Sequence, residues 1–310
     1  MKLANILAVW ILATFGGHAH ATAEWEQLNE EVASLYQQGE YSRATAVAKK
    51  ALQTAEQTLD PNHPDVATSL NSLALLYTAQ AQYTQAEPLL KRALAIFEKA
   101  GAESAEMATT LNNLAMLYKS QEQYVQAEPL YKRALAIDEK VFGPDHPNVA
   151  ISLNNLAQLY EAQERYAEAE PLLKRALAIL EKTRGPDHPN VAMSLNNLAL
   201  LYSAQKKYAE AEPLYKRVLA ILRKALGPNH PNVALSMNNL AGLYRDQGKY
   251  PYAEPLFRRA LTISEKSLGP DHPNVATSLE NLAQVYRDIG YANKAVPLEK
   301  RATAIRKMQR

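Results

Sequence analysis

The sequence contains no cysteine. Disulfide bonds, thiolate metal sites, cysteine nucleophiles and cysteine lipidation are therefore excluded. Glycine is scarce, with 11 residues in 310, and the sequence has no glycine-rich phosphate loop or nucleophile elbow. Neither sign of charge is in clear excess, because 34 Lys and Arg stand against 32 Asp and Glu. A dedicated nucleic-acid surface is not indicated, and abundant Ala and Leu with little glycine predict an all-helical protein.

Long apolar runs are absent except at the N-terminus. Lys2 is followed by an apolar run over 3–15 and by small residues over 16–23. This order is typical of a secretory signal peptide, with cleavage after Ala21 or Ala23. The run is short for a membrane span. We therefore predict that residues 1–23 are a signal peptide and that the protein is exported, periplasmic or secreted, with no membrane span after cleavage. The alternative is an uncleaved N-terminal anchor.

A repeat fills the rest of the chain. Its tyrosine marker recurs every 42 residues, at Tyr118, Tyr160, Tyr202, Tyr244 and Tyr286. Tyr77 precedes Tyr118 by 41, because the linker over 100–106 is one residue shorter, and a looser first copy surrounds Tyr36. We predict one domain over 24–310 with about seven copies. Their approximate bounds are 25–64, 65–106, 107–148, 149–190, 191–232, 233–274 and 275–310.

The first half of each copy is predicted to be an amphipathic helix. In one copy Leu195, Leu198, Ala199 and Tyr202 recur at i, i+3, i+4 and i+7. This spacing places them on one stripe of a helix. The small side chain of Ala199 marks where a neighbouring helix approaches closely.

The second half of each copy is predicted to be another helix. In the same copy it begins near Tyr208, and we place Pro213 in its opening turn, where backbone amides lack partners. Gly227 ends this helix. Asn232 is the predicted cap of the helix that follows.

These residues resemble tetratricopeptide repeats. The residues at that family's packing positions are Leu198, Ala199, Tyr202, Tyr208, Ala211, Tyr215 and Val218. The period exceeds the usual value of about 34, and the wording AEPLYKRALAI with GPDHPNVA resembles the variant found in kinesin light chains. The resemblance implies a right-handed α-α superhelix of helix-turn-helix repeats. Glu299 and Thr303 replace apolar residues in the last copy, which predicts a polar end to the array.

Five linker histidines are candidate metal ligands: His63, His146, His188, His230 and His272. Adjacent copies are separated by roughly 18 Å, since helix axes pack 8–10 Å apart. Metal ligands must lie about 2 Å from a shared ion, so neighbouring linkers cannot form one site. We predict structural roles for these histidines and expect no metal or other cofactor.

Consecutive basic residues in the second helices are candidates for a nucleic-acid surface. In each copy a glutamate precedes the first base by four residues, as Glu212 precedes Lys216. This is the favourable order for an ion pair on a helix surface. We therefore predict a solvated, self-neutralised face and no nucleic-acid partner.

Asparagine pairs in the first helices are the main candidate for a binding surface. If Leu195 faces the core, Asn196 and Asn197 lie on the opposite side of that helix. In tetratricopeptide repeats the corresponding face lines a concave groove, and the resemblance implies that asparagine amides there bond to a peptide backbone. The predicted peptide-binding residues are Asn112, Asn113, Asn154, Asn155, Asn196, Asn197, Asn238, Asn239, Asn281, Lys119, Arg245 and Arg287.

An alternative is that one asparagine of each pair bonds to an adjacent repeat, and we give the second of each pair more weight as a ligand contact. Specificity is predicted to come from groove positions that vary between copies. These are Thr109, Ile151, Met193, Leu235 and Thr277; Met116, Gln158, Leu200, Gly242 and Gln284; Lys119, Glu161, Ser203, Arg245 and Arg287. The two arginines suggest an acidic ligand, although Asp246 and Asp288 beside them weaken this prediction.

The predicted function is that of an exported, non-catalytic scaffold that binds a protein or peptide segment in its groove. One alternative is a structural or assembly factor of the cell envelope that acts through outer faces and ends. A less favoured alternative is a hydrolase-type cleft. Such a cleft needs paired carboxylates, and the groove positions supply only isolated ones such as Glu161.

Overall fold

The computed structural model describes residues 23–101 and 103–308. These residues form fourteen α-helices and no β-strand, which confirms the all-helical prediction. Most of the predicted signal peptide, residues 1–22, lies outside the described residues. The helices are α1 (Ala23–Gln37), α2 (Tyr41–Thr58), α3 (Pro64–Ala79), α4 (Tyr83–Ala100), α5 (Ala105–Ser120), α6 (Tyr124–Phe142), α7 (Pro147–Ala162), α8 (Tyr166–Arg184), α9 (Pro189–Ala204), α10 (Tyr208–Leu226), α11 (Pro231–Asp246), α12 (Tyr250–Leu268), α13 (Pro273–Asp288) and α14 (Ala292–Met308).

The helices form helix-turn-helix repeats, in which the odd-numbered helix is the first helix of a repeat and the even-numbered helix is the second. The chain divides into two compact units, one ending at Leu172 and one beginning at Leu173. In the first unit α1 to α7 pack consecutively, and the first helices α3, α5 and α7 also contact one another in order. In the second unit α9 to α14 pack consecutively, and α11 contacts α13.

Small alanines allow the close packing of first helices. The alanine one turn before the marker tyrosine is buried in six copies: Ala74, Ala115, Ala157, Ala199, Ala241 and Ala283. Larger side chains fill the space from the second helices, and Tyr131 and Phe257 are among the largest fully buried side chains. A first helix therefore touches several neighbours and buries more than one stripe of its surface.

A histidine caps most first helices. In α11 the N-cap residue is His230, whose Nδ1 accepts a hydrogen bond from the backbone N–H of Asn232 at 3.1 Å. The prediction that Asn232 caps this helix is therefore wrong, because Pro231 already occupies the first helical position. The short linker differs, since the side chain of Ser104 accepts from the N–H of Met107 at 3.3 Å.

Prolines lie one turn deeper in the second helices than predicted. The helix α10 begins at Tyr208, as expected, but Pro213 is its sixth residue and lies inside it. The proline therefore removes a backbone hydrogen bond to the carbonyl of Ala209. Pro213 is exposed, so this carbonyl faces solvent instead of a dry core. No helix in the described ranges is long and apolar enough to cross a membrane.

Candidate functional site

Asparagine side chains join the first helices of neighbouring repeats in the first unit. The Nδ2 of Asn113 in α5 donates to the Oδ1 of Asn71 in α3 at 3.0 Å. The Nδ2 of Asn112 donates in the other direction, to the Oγ of Ser152 in α7 at 3.0 Å. The helix α5 is thus connected to both the preceding and the following first helix.

The same arrangement recurs in the second unit. The Nδ2 of Asn239 in α11 donates to the Oδ1 of Asn196 in α9 at 2.8 Å. The Nδ2 of Asn238 donates to the Oγ of Ser278 in α13 at 3.1 Å. We call these inter-repeat contacts of Asn71, Asn112, Asn113, Ser152, Asn196, Asn238, Asn239 and Ser278 the asparagine ladder.

Several predicted contact residues are buried between helices. Asn112, Asn113, Asn154 and Asn196 are 9%, 2%, 5% and 0% exposed. Their predicted orientation, on a face opposite the core, is therefore wrong. The reason is that a first helix packs against neighbouring first helices as well as against second helices, so one apolar stripe does not define all of its buried surface.

Other asparagines keep partial access to solvent. Asn155, Asn197, Asn238, Asn239 and Asn281 are half-buried. Among the described residues, Asn155 makes no side-chain hydrogen bond. Its amide therefore retains both donor and acceptor capacity at a partly open position. Peptide contact by these residues stays a prediction.

The three predicted cationic contacts each have a partner inside the protein. Lys119 donates from Nζ to the Oε1 of Gln158 at 3.2 Å. Arg245 pairs with its neighbour Asp246 at 2.9 Å. Arg287 forms a bidentate pair with Glu299 at 2.8 and 2.6 Å, which lowers the pKa of that carboxyl. These pairs remove support for an acidic ligand attracted by the two arginines.

The variable positions form a partly open surface on the first helices. All fifteen are half-buried except Gln284 and Arg287, which are exposed. We call them the first-helix face: Thr109, Met116 and Lys119 in α5; Ile151, Gln158 and Glu161 in α7; Met193, Leu200 and Ser203 in α9; Leu235, Gly242 and Arg245 in α11; Thr277, Gln284 and Arg287 in α13. Within each unit this face is available to a ligand without disrupting the packing positions.

The outer surface of the second helices is self-neutralised, as predicted. Lys91 lies 2.7 Å from Glu87 on the same helix, and Tyr118 of the next first helix donates its hydroxyl to Glu87 at 3.1 Å. Equivalent trios are Glu128, Lys132 and Tyr160; Glu212, Lys216 and Tyr244; Glu254, Arg258 and Tyr286. Hydrogen bonds from Arg165 and then Lys132 lower the pKa of Glu128 to about 2.

A buried carboxylate went unnoticed in the sequence. Asp138 in α6 is 5% exposed, and Ser152 donates a hydrogen bond to its Oδ2 at 2.5 Å. Burial raises the pKa of Asp138 to about 6. The signal was present in the repeat, because the equivalent residues Phe97, Leu180 and Leu222 are apolar. Asp138 therefore extends the hydrogen-bond chain that begins at Asn112.

The linker histidines are part of the helix caps. Each of the five accepts a backbone N–H at its Nδ1, at 3.1 to 3.2 Å. Within the described ranges no group of three or more His, Asp or Glu side chains is arranged to hold a metal ion.

Comparison with known proteins identifies the repeat. The tetratricopeptide repeat profile matches residues 27–99, 106–182, 160–224, 191–266 and 236–308. The chain belongs to the tetratricopeptide repeat family. Members of this family are generally non-catalytic scaffolds for protein–protein interaction.

Solved structures with kinesin-light-chain-like repeats are similar to this tetratricopeptide repeat chain. A putative kinesin light chain from Podospora anserina is 31% identical, with 67% of this chain and 100% of that chain covered and a TM-score of 0.57. BtubC (BKLC) from P. vanneervenii is 25% identical, with 74% and 90% covered and a TM-score of 0.60. The repeats are therefore kinesin-light-chain-like, as the period and wording predicted.

A more distant likeness shows only that the fold is shared. A Rap protein complexed with Competence and Sporulation Factor is 17% identical, with 92% of this chain and 75% of that chain covered and a TM-score of 0.68. No curated protein sequence is significantly similar to this tetratricopeptide repeat chain.

Proposed function

We propose that this protein is an exported, non-catalytic scaffold that binds an extended or helical protein segment along its first-helix face. The observation that carries this proposal is the contrast between positions within one repeat. Packing positions keep the same chemistry from copy to copy, as at Ala157 and Ala199. The half-buried position of Ile151 changes to Met193, Leu235 and Thr277 in later copies. A surface that varies while its support stays constant is suited to recognition.

The asparagine ladder supports this role by fixing the first helices against each other. Its bonds of 2.8 to 3.1 Å lie in or near the buried zone between those helices. A rigid surface loses less conformational entropy on binding, so more of the contact energy appears as affinity. Asn155 offers an amide that is not used by the ladder and can bond to the backbone of a ligand.

A structural relative supports the same proposal. The Rap protein with a similar fold was solved in complex with Competence and Sporulation Factor. An array of this fold therefore carries a bound factor in at least one other protein, while the partner of this chain must be found by experiment.

Affinity capture with matched variants tests the proposal. Wild-type protein is used to capture partners from a periplasmic extract, in parallel with Asn155→Ala/Gln158→Ala on the face and Gln126→Ala on the exposed outer side of α6. We expect the face variant to lower recovery of a partner by about tenfold or more, because a central contact contributes about 1.4 kcal/mol or more. The outer variant should leave recovery unchanged. Equal recovery by all three proteins would refute recognition by this face.

Export is tested separately. We propose that cleavage after Ala21 releases a chain beginning at Thr22, or that cleavage after Ala23 releases one beginning at Glu24. N-terminal sequencing of protein from the periplasmic fraction should read one of these two starts. A chain that keeps Met1 and fractionates with membranes would instead support the uncleaved anchor.

A further inference from the structure

The first helix, α1, presents an acidic surface with no repeat packed before it. It contains four glutamates and no lysine or arginine. Glu26, Glu30 and Glu31 are exposed and make no ion pair among the described residues, whereas Glu24 lies 3.0 Å from Lys50. In the next first helix the equivalent residues are Ala67, Asn71 and Ser72, all buried. The three free glutamates therefore occupy positions that repeat packing covers elsewhere.

The last helix, α14, presents a basic surface with no repeat packed after it. It contains five lysines and arginines against one glutamate. Arg306 and Glu299 turn back to the preceding helix α13, where Arg306 pairs with Glu280 at 3.0 Å. Lys300 and Lys307 are exposed and make no ion pair within the described part of the chain. They share one helix stripe with Val296 and Thr303, since these residues are three or four apart.

We propose that these two surfaces bind each other between copies of this chain, with Glu26, Glu30 and Glu31 of one copy against Lys300 and Lys307 of another. The charges match in sign and in scale. Glu26 to Glu31 spans about 7.5 Å along its helix and Lys300 to Lys307 about 10.5 Å, at 1.5 Å per residue. Flexible lysine side chains can therefore reach carboxylates at both ends of the acidic row.

The contact joins two different surfaces, so it is heterologous. Each copy keeps one free acidic and one free basic surface after the first contact, and assembly continues beyond a dimer unless the chain of copies closes into a ring. Exposed ion pairs are screened by salt, with a Debye length of about 10 Å at 0.1 M and about 3 Å at 1 M. The assembly is therefore reversible and depends on ionic strength.

Sedimentation velocity of the purified protein over a range of concentrations tests this proposal. At 50 mM NaCl we expect oligomers that grow with concentration, and at 500 mM NaCl an association constant lower by about tenfold or more. A wild-type protein that stays monomeric at 50 mM NaCl, or oligomers unaffected by salt, would overturn the proposal.

Charge reversal identifies the surfaces. Glu26→Lys/Glu30→Lys/Glu31→Lys and Lys300→Glu/Lys307→Glu should each lower the association constant at 50 mM NaCl by about tenfold or more. Combining all five changes in one chain should restore association, because the two signs are then exchanged. The matched control is Glu122→Lys/Glu164→Lys/Glu210→Lys, which reverses three exposed glutamates elsewhere. An equal loss in this control, or no restoration in the combined chain, contradicts the proposed contact. Circular dichroism checks that each variant is folded.

Discussion

Asparagine is a weak helix former because its amide competes for backbone groups. Asn113 and Asn239 nevertheless lie in mid-helix, and each donates to an asparagine of the preceding repeat. The amide therefore gains a specific partner that an alanine would not have. At this scale the protein exchanges some helix propensity for a fixed register between repeats.

The ladder predicts a stability cost for Asn113→Ala. The substitution removes the bond to Asn71 and leaves a buried oxygen without its donor, so we expect a loss of about 1–3 kcal/mol in the free energy of unfolding. Asn155→Ala is the control, since Asn155 is half-buried and unbonded, and it should change stability by less than about 0.5 kcal/mol. Urea unfolding followed by circular dichroism measures both, and equal effects would remove the ladder from the account.

Asp138 predicts a pH-dependent penalty. Its pKa is about 6 in the folded protein against an ordinary value of 3.8, so the folded state binds the proton more tightly between these values. Its contribution to stability is present below about pH 4 and is lost as pH rises through 6, leaving a penalty of about 3 kcal/mol at pH 7.5.

Asp138→Asn removes the titration but keeps an acceptor for Ser152. We expect the variant to gain about 2–3 kcal/mol more, relative to wild type, at pH 7.5 than at pH 4. Unfolding midpoints at the two pH values measure the difference. A gain of the same size at both pH values would contradict a charged, buried Asp138.

At the scale of elements, the turn inside each repeat uses one left-handed residue. Glycine occupies it in three copies, at Gly39, Gly248 and Gly290. The other four copies hold a side chain at φ near +60°: Ala81, Glu122, Glu164 and Lys206. Since this conformation costs a side-chain-bearing residue about 1–2 kcal/mol, these four turns carry backbone strain.

Lys206→Gly should therefore stabilise the protein. The expected gain is about 0.5–1 kcal/mol, because relief of strain exceeds the extra entropy of glycine in the unfolded chain. Gly248→Ala should destabilise by a similar amount, and no atom lies within 4 Å of the added Cβ, so the loss reports strain rather than a clash. Thermal unfolding of the pair measures both signs, and the same sign for both would contradict the explanation.

The histidine caps predict acid sensitivity at the helix starts. Burial lowers the pKa of His272, and burial and then Arg184 lower the pKa of His188. A lowered histidine pKa contributes stability that is present above the unfolded value of about 6.5 and is lost as pH falls below it. Protonation also removes Nδ1 as an acceptor for the N–H that it caps.

His188→Ser/His272→Ser keeps a capping oxygen without a titrating group. We expect this variant to lose less stability than wild type between pH 7 and pH 5, by about 0.5–1 kcal/mol in total. Urea midpoints at both pH values provide the measurement. An identical pH dependence in the two proteins would show that these caps do not titrate in the folded state.

At the scale of the whole molecule, the regular spacing made the fold predictable. Apolar stripes such as that of Leu195 and Tyr202 define helices without tertiary information. The orientation of Asn113 was not predictable in this way, because it depends on which neighbouring helix lies beside it. Pro213 and Asn232 were misplaced for a related reason, since local patterns locate a helix end only to within about a turn. Asp138 was overlooked although its departure from the repeat was visible.

The account's central claim is that the first-helix face binds a partner, and Gly242 allows the most direct test. This helical glycine lies on the face, and an added Cβ there meets no atom within 4 Å. The equivalent residues include Gln158 and Gln284. Gly242→Gln should therefore stabilise α11 by about 0.5–1 kcal/mol while filling space that a ligand would occupy. Ala209→Gln on an exposed position of α10 is the control for added bulk.

The decisive measurement is the equilibrium affinity of a captured partner segment for wild type, Gly242→Gln and Ala209→Gln, with the unfolding midpoint of each. The account predicts that Gly242→Gln is the more stable protein and yet binds about tenfold or more weakly, while Ala209→Gln binds like wild type. Unchanged affinity for Gly242→Gln, together with unchanged affinity for the Asn155→Ala/Gln158→Ala variant, would contradict recognition by the first-helix face.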